Sequence, residues 1–250
     1  MPEVVAAALA LPGVSWVFAV ALVAGLVYGF AGFGAALIFM PVATRVVPPD
    51  VAIGAFAISA ISSLITVVPG AWPVADRPAV ARMLIAAIVA TPLGVWLLAV
   101  APATGLRTGI ALVVLGTLAL LVAGWRLPVR PGPKAEIGIG GAAGVIGGAT
   151  GLTGPAVILF QIGGGATAAV VRANTALFLT LSSLTLPPQL WAQGLLAGET
   201  LALGLLLLAP YALGTWIGAR VFRPGQERLY RRVAFGIIGA AGLAGLPMWR

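Results

Sequence analysis

The chain has 250 residues, with 14 Lys and Arg against 6 Asp and Glu, a formal net charge of +8. The set AVILMFWYC makes up 61% and charged residues only 8%, where globular domains carry roughly 25% charged residues. So few charges cannot cover a soluble surface of this size, which makes the chain integral to a membrane; without Cys or His it has no disulfide, thiolate nucleophile, imidazole base or Cys- or His-ligated metal.

The N-terminus, Met1-Pro2-Glu3, has no basic residue ahead of the first apolar run. It reads poorly as a secretory signal, so that run is assigned to the mature protein. Leu11 to Val47 is one long run, interrupted by GFAGFG at Gly29 to Gly34. Its part from Val14 to Val47 would be roughly 50 Å of straight helix, too long for a hydrocarbon core of about 30 Å. The glycine break predicts a helix that enters, turns and returns. Irregular backbone at membrane depth survives only where protein or a cavity satisfies it.

Val51 to Val68, Ala79 to Val100 and Leu106 to Trp125 follow as spans. A polar link, RLPVRPGPKAE, runs from Arg126 to Glu136. The second half opens with Ile137 to Ile162, broken at Gly147 to Pro155 by GGATGLTGP. It continues with Ala168 to Leu186, Thr200 to Val221 and Leu229 to Met248. The runs are long and lack alternation, which predicts helices rather than strands. The acids Glu3, Asp50, Asp76, Glu136, Glu199 and Glu227 all sit in or beside predicted loops. A carboxylate proton relay through the bilayer is not expected. The arginines are scattered between apolar runs, and only Arg231-Arg232 are adjacent, which is no nucleic-acid pattern.

A shift of 120 positions superposes the halves. Gly34 falls on Gly154, Ala36 on Ala156 and Ile38 on Ile158. Ser62-Ser63-Leu64 falls on Ser182-Ser183-Leu184, and Leu93-Gly94-x-Trp96 on Leu213-Gly214-x-Trp216. If both broken runs are re-entrant hairpins, one face keeps Arg45, Arg107 and Arg250. The other collects Arg77, Arg82, Arg126, Arg130, Lys134, Arg172, Arg220, Arg223, Arg228, Arg231 and Arg232. That is the asymmetry of a cytoplasmic face. A hairpin plus three crossings per half then makes the halves inverted, with both termini outside. The predicted fold is an all-α integral membrane protein of two inverted repeats, each a Gly-broken re-entrant helix hairpin plus three transmembrane helices. The repeats cover 1–126 and 137–250, joined by a polar cytoplasmic linker over 127–136, in one integrated membrane domain. Inverted repeats with broken helices are a transporter architecture.

GFGAALIFMP (Gly32 to Pro41), GLTGPAVILF (Gly151 to Phe160), VVRANTALFLTLSSL (Val170 to Leu184) and ALGTWIGARVF (Ala212 to Phe222) together resemble the sulfite exporter TauE/SafE family of membrane permeases. The resemblance runs from about Val14 to Leu246. It implies transport, commonly export from bacteria, of sulfite, sulfonates or related organosulfur and small organic anions, and so residence in the bacterial inner membrane. Ala35 and Ala36 stand where further glycines are common in the family.

The residues themselves also point to an anion. The second arm of a hairpin begins at its tip, with N–H groups that have no intrahelical partner and about +0.5 of dipole charge. Pro155 after Gly154 suits a first helical position. Two such ends facing one another form an anion site without a formal cation. The candidate binding residues are Gly32, Phe33 and Gly34 at one tip, and Thr150, Gly151, Thr153 and Gly154 at the other. The alternative for the glycines is close helix packing; for the threonines it is a bond to their own helix. The amides Gln161 and Asn174 are expected to face the cavity, with an interhelical bond as the alternative. Ser62, Ser63, Ser182 and Ser183 either line the path or join helices. Arg172 attracts anions or, the stronger expectation, snorkels to the interface. Trp16, Trp72, Trp125, Trp191 and Trp249 read as interfacial anchors, while Trp96 and Trp216 read as packing residues.

The expected partners are the lipid bilayer and a small anionic substrate, with no nucleic acid, no cofactor and no metal; a homodimer is left open. Export of a monoanion is driven outward by about 2.3 kcal/mol per 100 mV of potential, and no coupling-ion site is evident. The rival readings are another small anion, such as a carboxylate, on the same fold, and a structural or assembly subunit of a membrane complex. A membrane enzyme would have only Ser and Thr for its chemistry.

Overall fold

The computed structural model describes residues 13–125, 127–221 and 227–246, and of 227–231 only the backbone. Glu3, Arg126, Arg223, Trp249 and Arg250 therefore lie outside the described residues, as do the side chains of Glu227, Arg228 and Arg231. The described residues are all-helical. The first half contains α1 (Val14–Ala31), α2 (Ala35–Val46), α3 (Pro49–Ser59), a 3-10 turn (Ala60–Ser62), and the short α4 (Ser63–Thr66) and α5 (Val68–Ala71). It ends with α6 (Arg77–Val100) and α7 (Ala103–Val122). The second half contains α8 (Pro133–Thr150), α9 (Gly154–Gly163), α10 (Ala168–Ala192), α11 (Gly198–Val221) and α12 (Glu227–Ala244).

Six stretches among the described residues are long and apolar enough to cross a membrane: α1, Pro49–Thr66, α6, α7, α10 and α11. Pro49–Thr66 is 72% buried inside the protein and α7 only 28%, so the former is an inner span and the latter a peripheral one. The sequence reading differs here in one way. The first arm of the first hairpin is itself span-length, 18 residues or about 27 Å.

Both predicted breaks fall where the glycines stand. α1 ends on Gly32 in the left-handed conformation (φ 77°), whose N–H donates to the Tyr28 carbonyl at 2.8 Å. Gly34 (φ 92°) then precedes α2. Two such residues in three reverse the chain cheaply only as glycine. Gly151 (φ 72°) closes α8 in the same way. The chain does return: Gly13, before α1, lies against Val46 at the end of α2. Gly163, at the end of α9, lies against Leu127, shortly before α8.

The two halves repeat span for span, with the single α10 in place of the segmented Pro49–Ala71 stretch. A shift of 119 positions carries α1 onto α8, both 18 residues long. A shift of 120 carries α6 almost onto α11, both 24 residues long. The extra residue is taken up at the tip, where Gly151-Leu152-Thr153-Gly154 replaces Gly32-Phe33-Gly34. The first arm of each hairpin packs along the third span of the other half. Gly25 and Gly29 of α1 meet the Tyr211 and Thr215 carbonyls of α11. Gly140, Gly144 and Gly148 of α8 meet the Met83, Ala87 and Thr91 carbonyls of α6. Both seams are parallel helix pairs brought together by small residues four apart, as is usual in membranes. For these glycines the packing reading holds.

Polar contacts gather at the two ends of α1. Near its start, Arg45 of α2 donates to the Ala244 carbonyl at the end of α12. Near its end lie Arg172, against Gly32, and Asn174, whose Oδ1 accepts from the Asp76 N–H at 2.7 Å. Arg82 of α6 pairs with Glu136 of α8. The linker is consequently shorter than expected. Pro133 takes the N1 position of α8, and Glu136 is buried in its first turn. Trp96 and Trp216 are also corrected: they are 52% and 44% exposed, on the outer faces of α6 and α11. The Arg220 guanidinium lies 3.8 Å from the Trp216 ring centroid, which covers that indole with a cation rather than with core. Trp16, Trp72, Trp125 and Trp191 are exposed near helix ends.

Candidate functional site

The tips meet at one cavity of about 40 Å³, where the halves come together. One water needs roughly 10–15 Å³ on this measure, so the space suits a group of a few heavy atoms. Its walls pair equivalent positions: Gly34 with Gly154, Ala35 with Pro155, Ala60 with Thr180, and Ser63 with Ser183. Phe56, Ala60 and Ser63 come from the middle of the Pro49–Ala71 stretch, and Leu179, Thr180 and Ser183 from the middle of α10. Phe33, Tyr28 and Tyr211 complete an aromatic side. Tyr211 meets Phe56 edge-on at 5.6 Å between centroids. The Tyr28 hydroxyl donates to the Ala176 carbonyl at 2.7 Å and lies 2.8 Å from Thr180 Oγ1.

A second cavity of about 30 Å³ adjoins the first, sharing Phe56, Gly151, Thr153 and Ser183 with it. Thr91, Gly147 and Ser182 also line it. Gly147 and Thr91 are the repeat counterparts of Tyr28 and Tyr211. Where the first cavity has two phenol rings, one from each half, the second has a glycine and a threonine.

α2 begins at the first cavity with Ala35, Ala36 and Leu37, and α9 with Gly154 and Pro155. The N–H groups of Ala35, Ala36 and Leu37 have no acceptor within their own helix, and those of Gly154 and Ala156 likewise; Pro155 has no N–H to offer. No charged side chain is among the described residues that line either cavity. The arrangement offers donors and positive helix ends to a desolvated anion.

The structure distributes the sequence candidates unevenly. Phe33, Gly34, Gly151, Thr153, Gly154, Ser63 and Ser183 line the first cavity; Gly151, Thr153, Ser182 and Ser183 line the second. Gly32 instead packs against Arg172. Thr150 donates its hydroxyl to the Ile146 carbonyl at 2.6 Å and accepts from the Leu152 N–H, so it caps its own helix. Ser62 bonds the Ser59 carbonyl. Asn174 and Gln161 do not face the cavity: Asn174 Nδ2 donates to Gln161 Oε1 at 3.3 Å. Both are buried, and two buried amides satisfy one another between helices.

Arg172 departs furthest from expectation. It turns inward, and its Nη2 donates to the Gly29 carbonyl at 2.6 Å. That carbonyl lies in the last turn of α1, where unpaired acceptors and the negative dipole end attract a cation. Tyr28, Tyr211 and Thr180 were missed. Tyr28 stands one turn before the Gly32 break, and Thr180 one turn before Ser183-Leu184; that adjacency was the available signal.

No curated protein and no solved structure matches this chain. The family model described as sulfite exporter TauE/SafE matches residues 17–245. That span contains both hairpins but for the first three residues of α1, both glycine seams and the cavity between the tips, and the chain belongs to the sulfite exporter TauE/SafE family, a family of membrane permeases.

Proposed function

We propose that this permease exports a small oxyanion, sulfite or an organosulfonate, bound between the two hairpin tips. The observation that carries the reading is the paired lining of the first cavity, to which both tips bring free helix N-termini. A site on the axis between two halves is reachable from either side as one half moves against the other. The halves are read as inverted. α1 runs from the Arg45 end to the Arg172 end, and α8 starts beside Arg82, which supports opposite directions. Arg82, Lys134 and Arg172 then lie on the cytoplasmic side and Arg45 outside, in the sense of the positive-inside rule. The membrane is the bacterial inner membrane and the termini are periplasmic. No fixed charge lines the site, so a negative-inside potential drives a bound monoanion outward.

A ligand screen by thermal shift on purified protein tests this. Sulfite, sulfonates, thiosulfate and small carboxylates are compared, because a ligand that binds the folded state raises the melting temperature by mass action. Sulfite or a sulfonate should stabilise most. A response to carboxylates alone would keep the site and change the cargo, and no response to any anion would remove the site.

A further inference from the structure

We infer that Ser63, and not its repeat counterpart Ser183, supplies the side-chain donor that fixes an oxyanion in the first cavity. The inference rests on the anion-site reading above. The two serine pairs are identical in sequence, Ser62-Ser63-Leu64 and Ser182-Ser183-Leu184, but their backbones differ. α10 runs unbroken through its pair, and Ser182 and Ser183 both donate to the Leu179 carbonyl, at 3.0 and 2.8 Å. The Ser183 hydroxyl is thereby committed to its own helix, the usual fate of a helical serine.

In the first half, α3 stops at Ser59 and a 3-10 turn covers Ala60–Ser62 before α4 opens with Ser63. Ser62 takes the Ser59 carbonyl at 2.9 Å, as Ser182 takes that of Leu179, but across the tighter turn Ser63 does not share that acceptor as Ser183 does. The Ser63 hydroxyl has no hydrogen-bond partner although the residue is 0% exposed. The Tyr211 hydroxyl lies beside it, and both residues line the cavity. A buried hydroxyl without a partner is unfavourable, and here it opens on a space into which helix N-termini also point. Converging donors select an acceptor, which a sulfite oxygen is. The duplicated motif has thus been split into one serine that holds a helix and one that faces the ligand.

The test compares sulfite affinity by calorimetry in the wild type, Ser63→Ala, Ser183→Ala and Gly154→Leu, with the melting temperature of each without ligand. Ser63→Ala should weaken sulfite binding about tenfold, the cost of one hydrogen bond to a charged group, and leave the ligand-free melting temperature unchanged or higher, since it removes an unsatisfied group. Ser183→Ala should change affinity less than about twofold, because its hydroxyl serves the helix. Equal losses in the two serine variants, or a lower ligand-free melting temperature in Ser63→Ala with affinity intact, would overturn the assignment. If Ser63→Ala binds as the wild type does while Gly154→Leu does not bind, the Ser63 assignment fails and the site stands. If the wild type binds neither sulfite nor any other small oxyanion, the site reading fails and the assignment with it.

Discussion

The two hairpin tips share a backbone plan and are held by different physics. The first is a three-residue link between two left-handed glycines, Gly32 and Gly34. It is fastened by a cation: Arg172 covers Gly32 and donates to the Gly29 carbonyl. The second tip is one residue longer, and its Gly151 lies against Met40 and Ile53. Ala52 stands at the repeat position of Arg172, so this tip is held by apolar packing. The donors differ as well. The first tip offers three consecutive N–H groups at Ala35, Ala36 and Leu37, and Pro155 interrupts the second series. The site is symmetric in position and unequal in chemistry, with the larger share of donors, the aromatic wall and the nearby cation on the side of the first tip.

The largest effects should ignore this difference. Gly29→Leu and Gly148→Leu each push a side chain into the backbone of a partner helix, at Thr215 and at Thr91. Both should lose the monodisperse folded species in detergent size-exclusion chromatography, since no rotamer avoids a backbone clash. Survival of one would break the equivalence of the two seams.

At the tips the outcomes should diverge. Gly34 has φ 92° and Ile238 3.3 Å from the position a Cβ would take, so Gly34→Ala should cost about 1–2 kcal/mol in a thermal melt. Gly154 has ordinary φ, with Leu179 at 3.7 Å as its nearest obstacle. Gly154→Ala should stay within about 0.5 kcal/mol of the wild type. The longer Gly154→Leu should fold but fill the cavity.

Arg172→Met should cost about 1.5–3 kcal/mol, the range for a hydrogen bond from a charged donor, read as a lower melting temperature. Anion binding should persist, because Arg172 serves the end of α1. Tyr28→Phe removes the bonds to Ala176 and Thr180 and should cost less than Arg172→Met, about 1–2 kcal/mol. The second half has only Gly147 at that position, so no equivalent change exists there.

The glycine breaks, the helical class and the matching spans were legible because they depend on local rules: left-handed conformations that need glycine, run lengths set by the bilayer, and rare residues repeating in order. Cavity-lining glycines at the tips were legible for the same reason. What escaped depends on side-chain reach across more than a hundred positions. Arg172 looked like a flank residue because its sequence neighbours are the first turn of a span; its partner, the Gly29 carbonyl, belongs to the other half. For Asn174 and Gln161 a bond between helices was the weaker of two expectations, because sequence spacing does not show that the two amides face one another. The split between Ser63 and Ser183 is invisible in identical letters, since it arises from a 3-10 turn that one half has and the other lacks.

The central claim is that one anion sits between the two tips. Equilibrium dialysis of labelled sulfite against the folded wild type, Gly154→Leu and Gly116→Leu tests it most directly. Gly116, on peripheral α7, has open space around it. The account predicts one sulfite per chain in the wild type and in Gly116→Leu and none in Gly154→Leu. Undiminished binding by Gly154→Leu, or equal loss in both variants, would contradict it.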